Sequence, residues 1–266
     1  MRLAQELVDY IIDFLHDNPT TLLQLSLVSR AWVDSSRIHL CETMKITRLK
    51  LMSLNPSYLT PLCRYAKILH FTWPKDNIDK SAVLDRFERS KPHTLAIRSC
   101  ELHHLDEQTI RRYFAKFPCT SITTLELHLI SPTFKSFLIL LSLFPNVDNL
   151  SVSVHRFRLG FDQSSEEVVQ RSSPPPFGGS FKFFDFPGGG VSSLEPSKLL
   201  RTIAVFPLQF QTVSLDAKEQ SWEDVSIFLS SCSKTVRKVY VKLTPPGECQ
   251  TQVLLQTVLG IECANA

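Results

Sequence analysis

Apolar residues recur at a helical spacing over the first fifteen positions of the chain. At about 100° per residue they cover roughly half of the helix circumference, and polar residues cover the rest. The apolar positions are Leu3, Leu7, Val8, Ile11, Ile12, Phe14 and Leu15, and the polar positions are Gln5, Glu6, Asp9, Asp13 and His16. A helix that serves one small core needs a narrower stripe. The pattern therefore predicts an amphipathic helix with apolar surface left for a partner.

Two further helical segments follow a break at Asp17, Asn18 and Pro19, since proline disfavours helix in the residue before it. Thr20 or Thr21 can cap the second helix. The apolar residues are Leu22, Leu23, Leu25 and Leu27 in the second helix, and Val28, Ala31, Trp32, Val33, Ile38 and Leu40 around the third. Three helices in roughly 40 residues bury little surface, so they need a partner or a neighbouring domain.

The pattern changes at about residue 45, after which short strand-like segments repeat. These segments are Ile68–Thr72, Thr94–Arg98, Thr124–His128, Asn149–Ser153, Ser180–Phe184, Thr212–Asp216 and Lys238–Lys242. If Leu69, Leu95, Leu125, Leu150, Phe181, Val213 and Val239 are equivalent, the steps between them are 26, 30, 25, 31, 32 and 26 residues. The average of about 28 residues lies within the range of leucine-rich repeats.

Helix signals separate these strands. Ser131 is predicted as an N-cap with Pro132 as the first helical residue, Asp106 and Ser221 precede two more helices, and residues 81–89 form a shorter one. We therefore predict an α/β fold of about seven strand-loop-helix units, which must stack because none can bury its apolar face alone. The predicted domains are a helical module over residues 1–44 and a repeat-like domain over residues 45–266.

The repeat is interrupted at residues 156–198, which are rich in serine, proline and glycine. One interpretation is a pair of flexible loops around a phenylalanine-rich strand whose helix has been lost. The other is a loop that contacts a target, because long loops on a scaffold often carry recognition. The sequence favours neither.

Composition narrows the function classes. The chain has 266 residues, 43% hydrophobic and 21% charged, with a net charge of +3. This small charge predicts no nucleic-acid partner. Acidic residues interrupt the N-terminal apolar positions, and the longest apolar uncharged run, 136–147, is too short for a bilayer. We expect an intracellular protein of the cytoplasm, the nucleus or both, with no membrane partner.

Candidate chemistry is sparse. The seven cysteines form an odd set without a C-x-x-C pair, and Cys100, His103 and His104 lack the further ligands of a tetrahedral metal site. No nucleophile elbow, H-E-x-x-H or kinase motif is present. We predict no metal, no cofactor and no catalytic residues, although a dispersed active site would escape motif analysis.

The N-terminal segment resembles the F-box, whose pattern opens with Leu-Pro-x-Glu-Leu and closes on Leu-Val-Ser/Cys-Arg-x-Trp. The matching residues are Leu3, Glu6, Leu7, Ile11, Ile12, Leu15, Leu22, Leu25, Leu27, Val28, Ser29, Arg30 and Trp32, with Ala4 where the family usually has proline. The later region resembles a degenerate leucine-rich-repeat array, in which Leu95, Ile97, Cys100 and Leu102 keep the repeat pattern best. The chain is similar to fungal-type F-box domain-containing proteins.

This resemblance implies a substrate-recognition adaptor that docks Skp1, and through it a cullin-RING ubiquitin ligase, while the repeat array binds an unknown target protein. The residues expected at the Skp1-like contact are Leu3, Ala4, Glu6, Leu7, Ile11, Leu15, Leu22, Leu25, Val28, Ser29 and Trp32. Outward strand positions predicted for the target are Arg98, Glu126, His128, Ser153 and Lys242. The alternative is an interaction scaffold outside any ligase, whose N-terminal helices only cap the solenoid.

Overall fold

The computed structural model describes residues 4–47, 56–72, 80–100, 105–130, 133–154, 178–185, 198–204, 208–218 and 222–244. Within these ranges the fold is α/β, with nine α-helices and one sheet of eight parallel strands. The α/β class predicted from the sequence is confirmed.

The helices, in chain order, are α1 (Gln5–Phe14), α2 (Pro19–Leu25), α3 (Arg30–Glu42), α4 (Pro56–Cys63), α5 (Lys80–Leu84), α6 (Glu107–Tyr113), α7 (Phe134–Ser142), α8 (Lys198–Ile203) and α9 (Trp222–Cys232). The strands are β1 (Thr43–Ile46), β2 (Ile68–Thr72), β3 (Thr94–Cys100), β4 (Thr124–Leu129), β5 (Asn149–Val154), β6 (Ser180–Asp185), β7 (Thr212–Lys218) and β8 (Lys238–Thr244). Short 3-10 helices cover Asp85–Phe87 and Cys119–Ser121.

Each strand pairs in parallel with the next strand along the chain. The residues that the sequence aligned as equivalent lie at one register across the sheet, from Leu69 on β2 to Val239 on β8. All seven predicted strands are present at their predicted positions. The sequence missed β1, whose residue Met44 pairs with Leu69 and extends the same register. Because β1 spans Thr43–Ile46, it crosses the predicted domain boundary after residue 44.

The strands start in the same way along much of the sheet. The Lys67 carbonyl accepts hydrogen bonds from the backbone N–H groups of His93 and Thr94, and the His93 carbonyl accepts from Thr123 and Thr124. The carbonyls of residues 123, 179 and 211 repeat this double acceptance with the following strands. Gly179 has a φ of +77°, and a Cβ there would overlap the Asp148 carbonyl. A side chain at this strand start would therefore displace β6 from β5.

Alternate strand residues face the main core. On β4 the burial alternates strictly between half-buried and buried positions, with Leu125, Leu127 and Leu129 inside. A β-bulge at Ser99, which has a φ of 56°, returns Cys100 to the buried side at the end of β3. Rings meet closely in this core: the Phe181 centroid lies 5.0 Å from those of Phe210 and Phe228. One apolar core therefore lies on a single side of the sheet, which we call the inner face.

Helix ends differ in two places from the sequence prediction. Helix α7 is capped by Thr133, whose hydroxyl accepts from the Ser136 backbone N–H in a capping box, so the predicted N-cap Ser131 was wrong. The helix thought to be lost after the phenylalanine-rich strand exists as α8, which precedes β7. Asp106 lies at the start of α6, as the sequence predicts, and it caps the helix by accepting from the Thr109 N–H at 2.7 Å. Ser221, His103 and His104 lie outside the described residues.

The first three helices have a separate small core. Val8, Ile12 and Leu22 are fully buried there, and the partly buried residues packed against them are Leu15, Leu25, Trp32 and Leu40. Helix α3 runs directly into β1 and contacts α4. The helical segment therefore combines its own core with a direct connection to the first strand.

Phe181 provides a direct test of this packing. Phe181→Ala should lower the free energy of unfolding by about 3–5 kcal/mol, because it removes a ring enclosed by two others and leaves a cavity. Urea denaturation of both proteins measures the difference. Phe184→Ala is the matched control, since Phe184 lies on the same strand but is 39% exposed. Equal losses in the two variants would contradict the assignment of Phe181 to the inner face and of Phe184 to the opposite side of the sheet.

Candidate protein-interaction surfaces

Exposed apolar side chains concentrate on the first two helices. On α1, Leu7, Tyr10 and Phe14 are 53%, 72% and 81% exposed. On α2 and the turn after it, Leu23, Leu27 and Val28 are 57%, 81% and 67% exposed. We call these six residues the exposed apolar set. Scattered surface leucines need no explanation, but six large apolar residues exposed within one small helical unit make this surface a candidate for binding.

The helical phase of α1 explains how it is both packed and exposed. At about 100° per residue, its apolar residues form a continuous arc of about 200°. Tyr10, Phe14 and Leu7 lie at one side of this arc, and the buried Val8 and Ile12 lie at the other. Ile11 and Leu15 fall between them and are half-buried. One half of the arc therefore builds the helical core and the other half faces outward.

The predicted adaptor-binding residues differ in how exposed they are in the structure. Ala4, Glu6, Leu7, Val28 and Ser29 are exposed; Ile11, Leu15, Leu25 and Trp32 are half-buried; Leu22 is buried; Leu3 lies outside the described residues. Sequence reasoning did not include Tyr10, Phe14, Leu23 or Leu27 in the contact. The three-residue and four-residue steps from Leu7 to Tyr10 to Phe14 were the signal that could have found the α1 residues.

Polar contacts hold α1 against α3 beside this surface. The Asp9 carboxylate accepts hydrogen bonds from the Ser35 hydroxyl and from the Gln5 side-chain amide. The hydrogen bond from Ser35, and then that from Gln5, holds the pKa of Asp9 below its ordinary value of 3.8. His39 Nε2 lies 2.8 Å from Asp13 Oδ1 one helical turn further on. These contacts agree with the rotation of α1 in which Val8 and Ile12 pack in the helical core and Leu7, Tyr10 and Phe14 face outward.

The second candidate surface is the side of the sheet opposite the main core, which we call the outer face. One register row across it contains Thr72, Arg98, His128, Ser153, Phe184, Asp216 and Lys242. Four of the five predicted target residues lie in this row, and Glu126 lies in the neighbouring row beside Ala96 and Ser151. The structure therefore brings the predicted residues onto one face, as the alternation of the strands indicates.

These target candidates differ in access. Arg98 and Lys242 are exposed, whereas Glu126 and His128 are half-buried. Lys242 Nζ makes an ion pair of 2.9 Å with Asp216 Oδ2 on β7. Ser153 is only 3% exposed, and its hydroxyl has no hydrogen-bond partner within the part of the chain that the structure describes. A partner on this face would contact Arg98 and Lys242 directly but would not reach Ser153 without rearrangement.

His70 lies on the outer face, and its surroundings lower the pKa of its imidazole. Burial lowers the pKa of His70 from 6.5, and the positive charges of Arg98 and Lys45 lower it further, while Glu126 acts in the opposite direction. The neutral imidazole is therefore favoured at neutral pH. His70 thus adds no positive charge to the patch that Lys45 and Arg98 form at this end of the outer face.

The described residues give little support for covalent or metal chemistry. None of their histidines, cysteines and carboxylates group in a way that could hold a metal ion. Burial raises the pKa of the Cys63 and Cys119 thiols to about 12 and that of Cys232 to about 11, so these thiols stay protonated and unreactive. A surface depression of about 470 Å³ near α6 is lined by Asp106, Glu107, Gln108, Arg111 and Lys135.

Comparison with known proteins found neither a matching family model nor a matching curated protein. Within the described ranges, every helix is too short or too polar to cross a membrane.

Asp9 gives the helical segment a testable pH dependence. Because its folded pKa is lowered, the hydrogen bonds stabilise the fold above about pH 3.8 and lose this effect as the pH falls through the folded value. We expect Asp9→Asn and Ser35→Ala to lower the melting temperature at neutral pH. The difference between Asp9→Asn and the unsubstituted protein should shrink at acidic pH, as thermal melts across a pH series can measure. Glu6→Gln on the same helix should leave the melting temperature unchanged, and an equal effect there would contradict the assignment.

Proposed function

We propose that the chain is the substrate-recognition adaptor of a Skp1-cullin-F-box type ubiquitin ligase, with residues 1–44 as a three-helix F-box and the later residues as an irregular leucine-rich-repeat solenoid. The observation that carries this proposal is the exposed apolar set on α1 and α2. A small helical unit with its own core gains no stability from six large apolar side chains in water, so a partner that covers them supplies the physical reason for their presence.

The occupant we assign to this surface is a Skp1-like adaptor subunit. The resemblance to the F-box rests on the closing Leu27-Val28-Ser29-Arg30-Ala31-Trp32 and on the aliphatic positions of α1. In the structure Leu27 and Val28 are exposed, while the indole of Trp32 packs against the helical core. This distribution supports a motif in which some residues hold the three helices together and their neighbours contact the adaptor.

The repeat-like part supports a second role in the same assembly. Parallel strands at one register, with repeated hydrogen bonding at their starts, give a continuous surface on the outer face. The chain would then do no chemistry itself. Its contribution would be positional: holding a target close to the ligase's reactive centre raises the effective concentration of the target lysines.

The alternative, a scaffold whose helices only cap the sheet, has one observation in its favour. Helix α3 leads into β1, and Lys67 on the neighbouring connection donates its backbone N–H to the Glu42 carbonyl at 2.9 Å. This contact explains the position of α3. It leaves the exposed side chains of α1 and α2 without a role, so we favour the ligase adaptor.

Co-purification with a recombinant Skp1-like adaptor tests the proposal. The variant Leu7→Asp with Phe14→Asp should weaken adaptor binding by more than about a hundredfold, because each large apolar side chain buried in a contact contributes roughly 1.5–3 kcal/mol. Both residues are exposed in the structure, so the helical core should stay intact, and circular dichroism checks that it does.

Trp222→Asp is the control for this experiment. Trp222 is a 45% exposed aromatic residue on α9, away from the exposed apolar set, and its replacement should leave adaptor binding unchanged. If the intact chain does not bind the adaptor, or if the Leu7 and Phe14 double variant binds as well as the intact chain, the ligase function is rejected in favour of the scaffold.

A further inference from the structure

The last three strands give the outer face a distinct character. Phe184 on β6 and Tyr240 on β8 are 39% and 51% exposed, and they are the exposed aromatic residues of the outer face within the part of the sheet that is described. On β3 to β5 the corresponding positions hold small, polar or charged side chains, such as Ala96, Glu126 and Ser151. Apolar contact area is therefore concentrated at the β6–β8 end of the face.

The two aromatic residues lie on either side of a strand whose outer-face side chains are smaller. Strand β7 lies between β6 and β8 and presents Thr212, Ser214 and Asp216 on the outer face, all half-buried. Neighbouring strands are about 4.8 Å apart, so β6 and β8 are separated by about 10 Å. Phe184 and Tyr240 lie in neighbouring register rows, so the two aromatic side chains are offset diagonally across the small residues of β7, and the surface between them is a shallow trough. We call this surface, from Lys182 to Lys242 on the outer face of β6–β8, the trough.

Lysines complete each register row of the trough. Lys182 lies across Ser214 from Tyr240, and Lys242 lies across Asp216 from Phe184. Lys238 lies one row further, beside Thr212, and all three lysines are exposed. Lys242 is paired with Asp216, whereas Lys182 and Lys238 make no ion pair with another described residue. The trough therefore carries three positive charges against one negative charge, next to two aromatic rings.

We propose that the trough binds an extended acidic peptide segment with aromatic or aliphatic side chains. Its carboxylates would pair with Lys182 and Lys238, and its apolar side chains would pack on Phe184 and Tyr240, the residue types that contribute most at protein contacts. This proposal rests on the proposed function and deepens it, because it names the chemistry of the target that the adaptor recognises.

A single-stranded nucleic acid also combines negative charge with rings that stack on aromatic residues. The carboxylate of Asp216 lies on β7, the middle strand of the trough, and its ion pair with Lys242 removes one of the three lysines from contact with a phosphate backbone. A peptide can place an amide or a lysine beside Asp216 instead. We therefore assign the trough to a peptide and make nucleic-acid binding an outcome of the test.

The experiment is a selection of short random peptides displayed on phage against the intact chain, followed by affinity measurement on the enriched peptides. The expected result is enrichment of Asp and Glu together with Phe, Tyr, Trp, Leu or Ile. Lys182→Glu and Tyr240→Thr should each weaken the enriched peptides by at least about tenfold, the effect of losing one well-packed contact residue. Binding should also weaken at high salt, because exposed charges are screened.

Two control variants make the same kinds of change as Lys182→Glu and Tyr240→Thr at positions outside the trough. Lys45→Glu makes the same charge reversal in the same register row of the outer face, on β1, and Trp222→Thr removes an exposed aromatic residue from α9. Both should retain peptide affinity. The proposal would be overturned by no enrichment, by enrichment of basic or uncharged peptides, or by equal losses in the control variants. It would also be overturned by tight binding of an oligothymidylate that Lys182→Glu and Tyr240→Thr abolish.

The failure of this inference and the failure of the proposed function are distinguishable. The Leu7→Asp with Phe14→Asp variant should select the same peptides as the intact chain, and Tyr240→Thr should bind the Skp1-like adaptor normally. Peptide selection without adaptor binding would reject the ligase and keep the trough. Adaptor binding without peptide selection would reject the trough and keep the ligase.

Discussion

Parallel pairing of consecutive strands is the constraint on which the rest of this structure depends. A strand that pairs in parallel with the next one requires a connection that returns along the sheet, and such connections pack as helices or loops against a face. Here the main core lies on one face only, so Leu95, Leu125 and Leu150 point into it and their neighbours in sequence point out. Helices α4 to α9 all contribute to this core, so among the described residues none of them covers the outer face. Both the stability of the molecule and its candidate target surface therefore come from one topological choice.

The same constraint explains how much of the fold could be predicted from the sequence. Inward positions must be apolar in every unit, so the aligned residues from Leu69 to Val239 could be recognised by their spacing alone, and the structure places them at one register. Strand β1 was missed because it is short and fully buries only Ile46. Helix α8 was missed because it follows a glycine- and serine-rich stretch and has only six residues, Lys198–Ile203. The cap of α7 was misplaced by two residues because Ser131 and Thr133 carry equivalent hydroxyls, and only the backbone geometry selects Thr133.

The candidate site was predictable in kind but not in detail. Surplus apolar character on α1 follows from composition and period, but which half of the arc faces outward depends on how α1 is rotated against α3. That rotation is set by tertiary contacts, the packing of Val8 and Ile12 against Leu22 together with the hydrogen bond between Asp9 and Ser35, which a one-dimensional pattern does not contain. The predicted stripe through Ile11 and Leu15 is half-buried for this reason, and Tyr10 and Phe14 take the exposed positions. On the outer face the period of two gave the correct side of the sheet, while the burial of Ser153 could not be inferred from alternation.

The connection between the helices and the sheet bears on how a positional function can work. A flexible linker between two binding surfaces would spread a bound target over a large volume and lower its effective concentration at any one point. Here α3 ends at Glu42 and β1 begins at the next residue, so no linker intervenes. The Glu42 carbonyl accepts from the Lys67 backbone N–H, and Asp34 on α3 accepts a hydrogen bond of 3.0 Å from the Tyr65 hydroxyl. Exposed side-chain contacts of this kind are individually weak. The continuous backbone and the pairing of β1 with β2 constrain the position of α3 more strongly. On the proposed function, a target held on the outer face would therefore keep a defined position relative to the adaptor docked on α1 and α2.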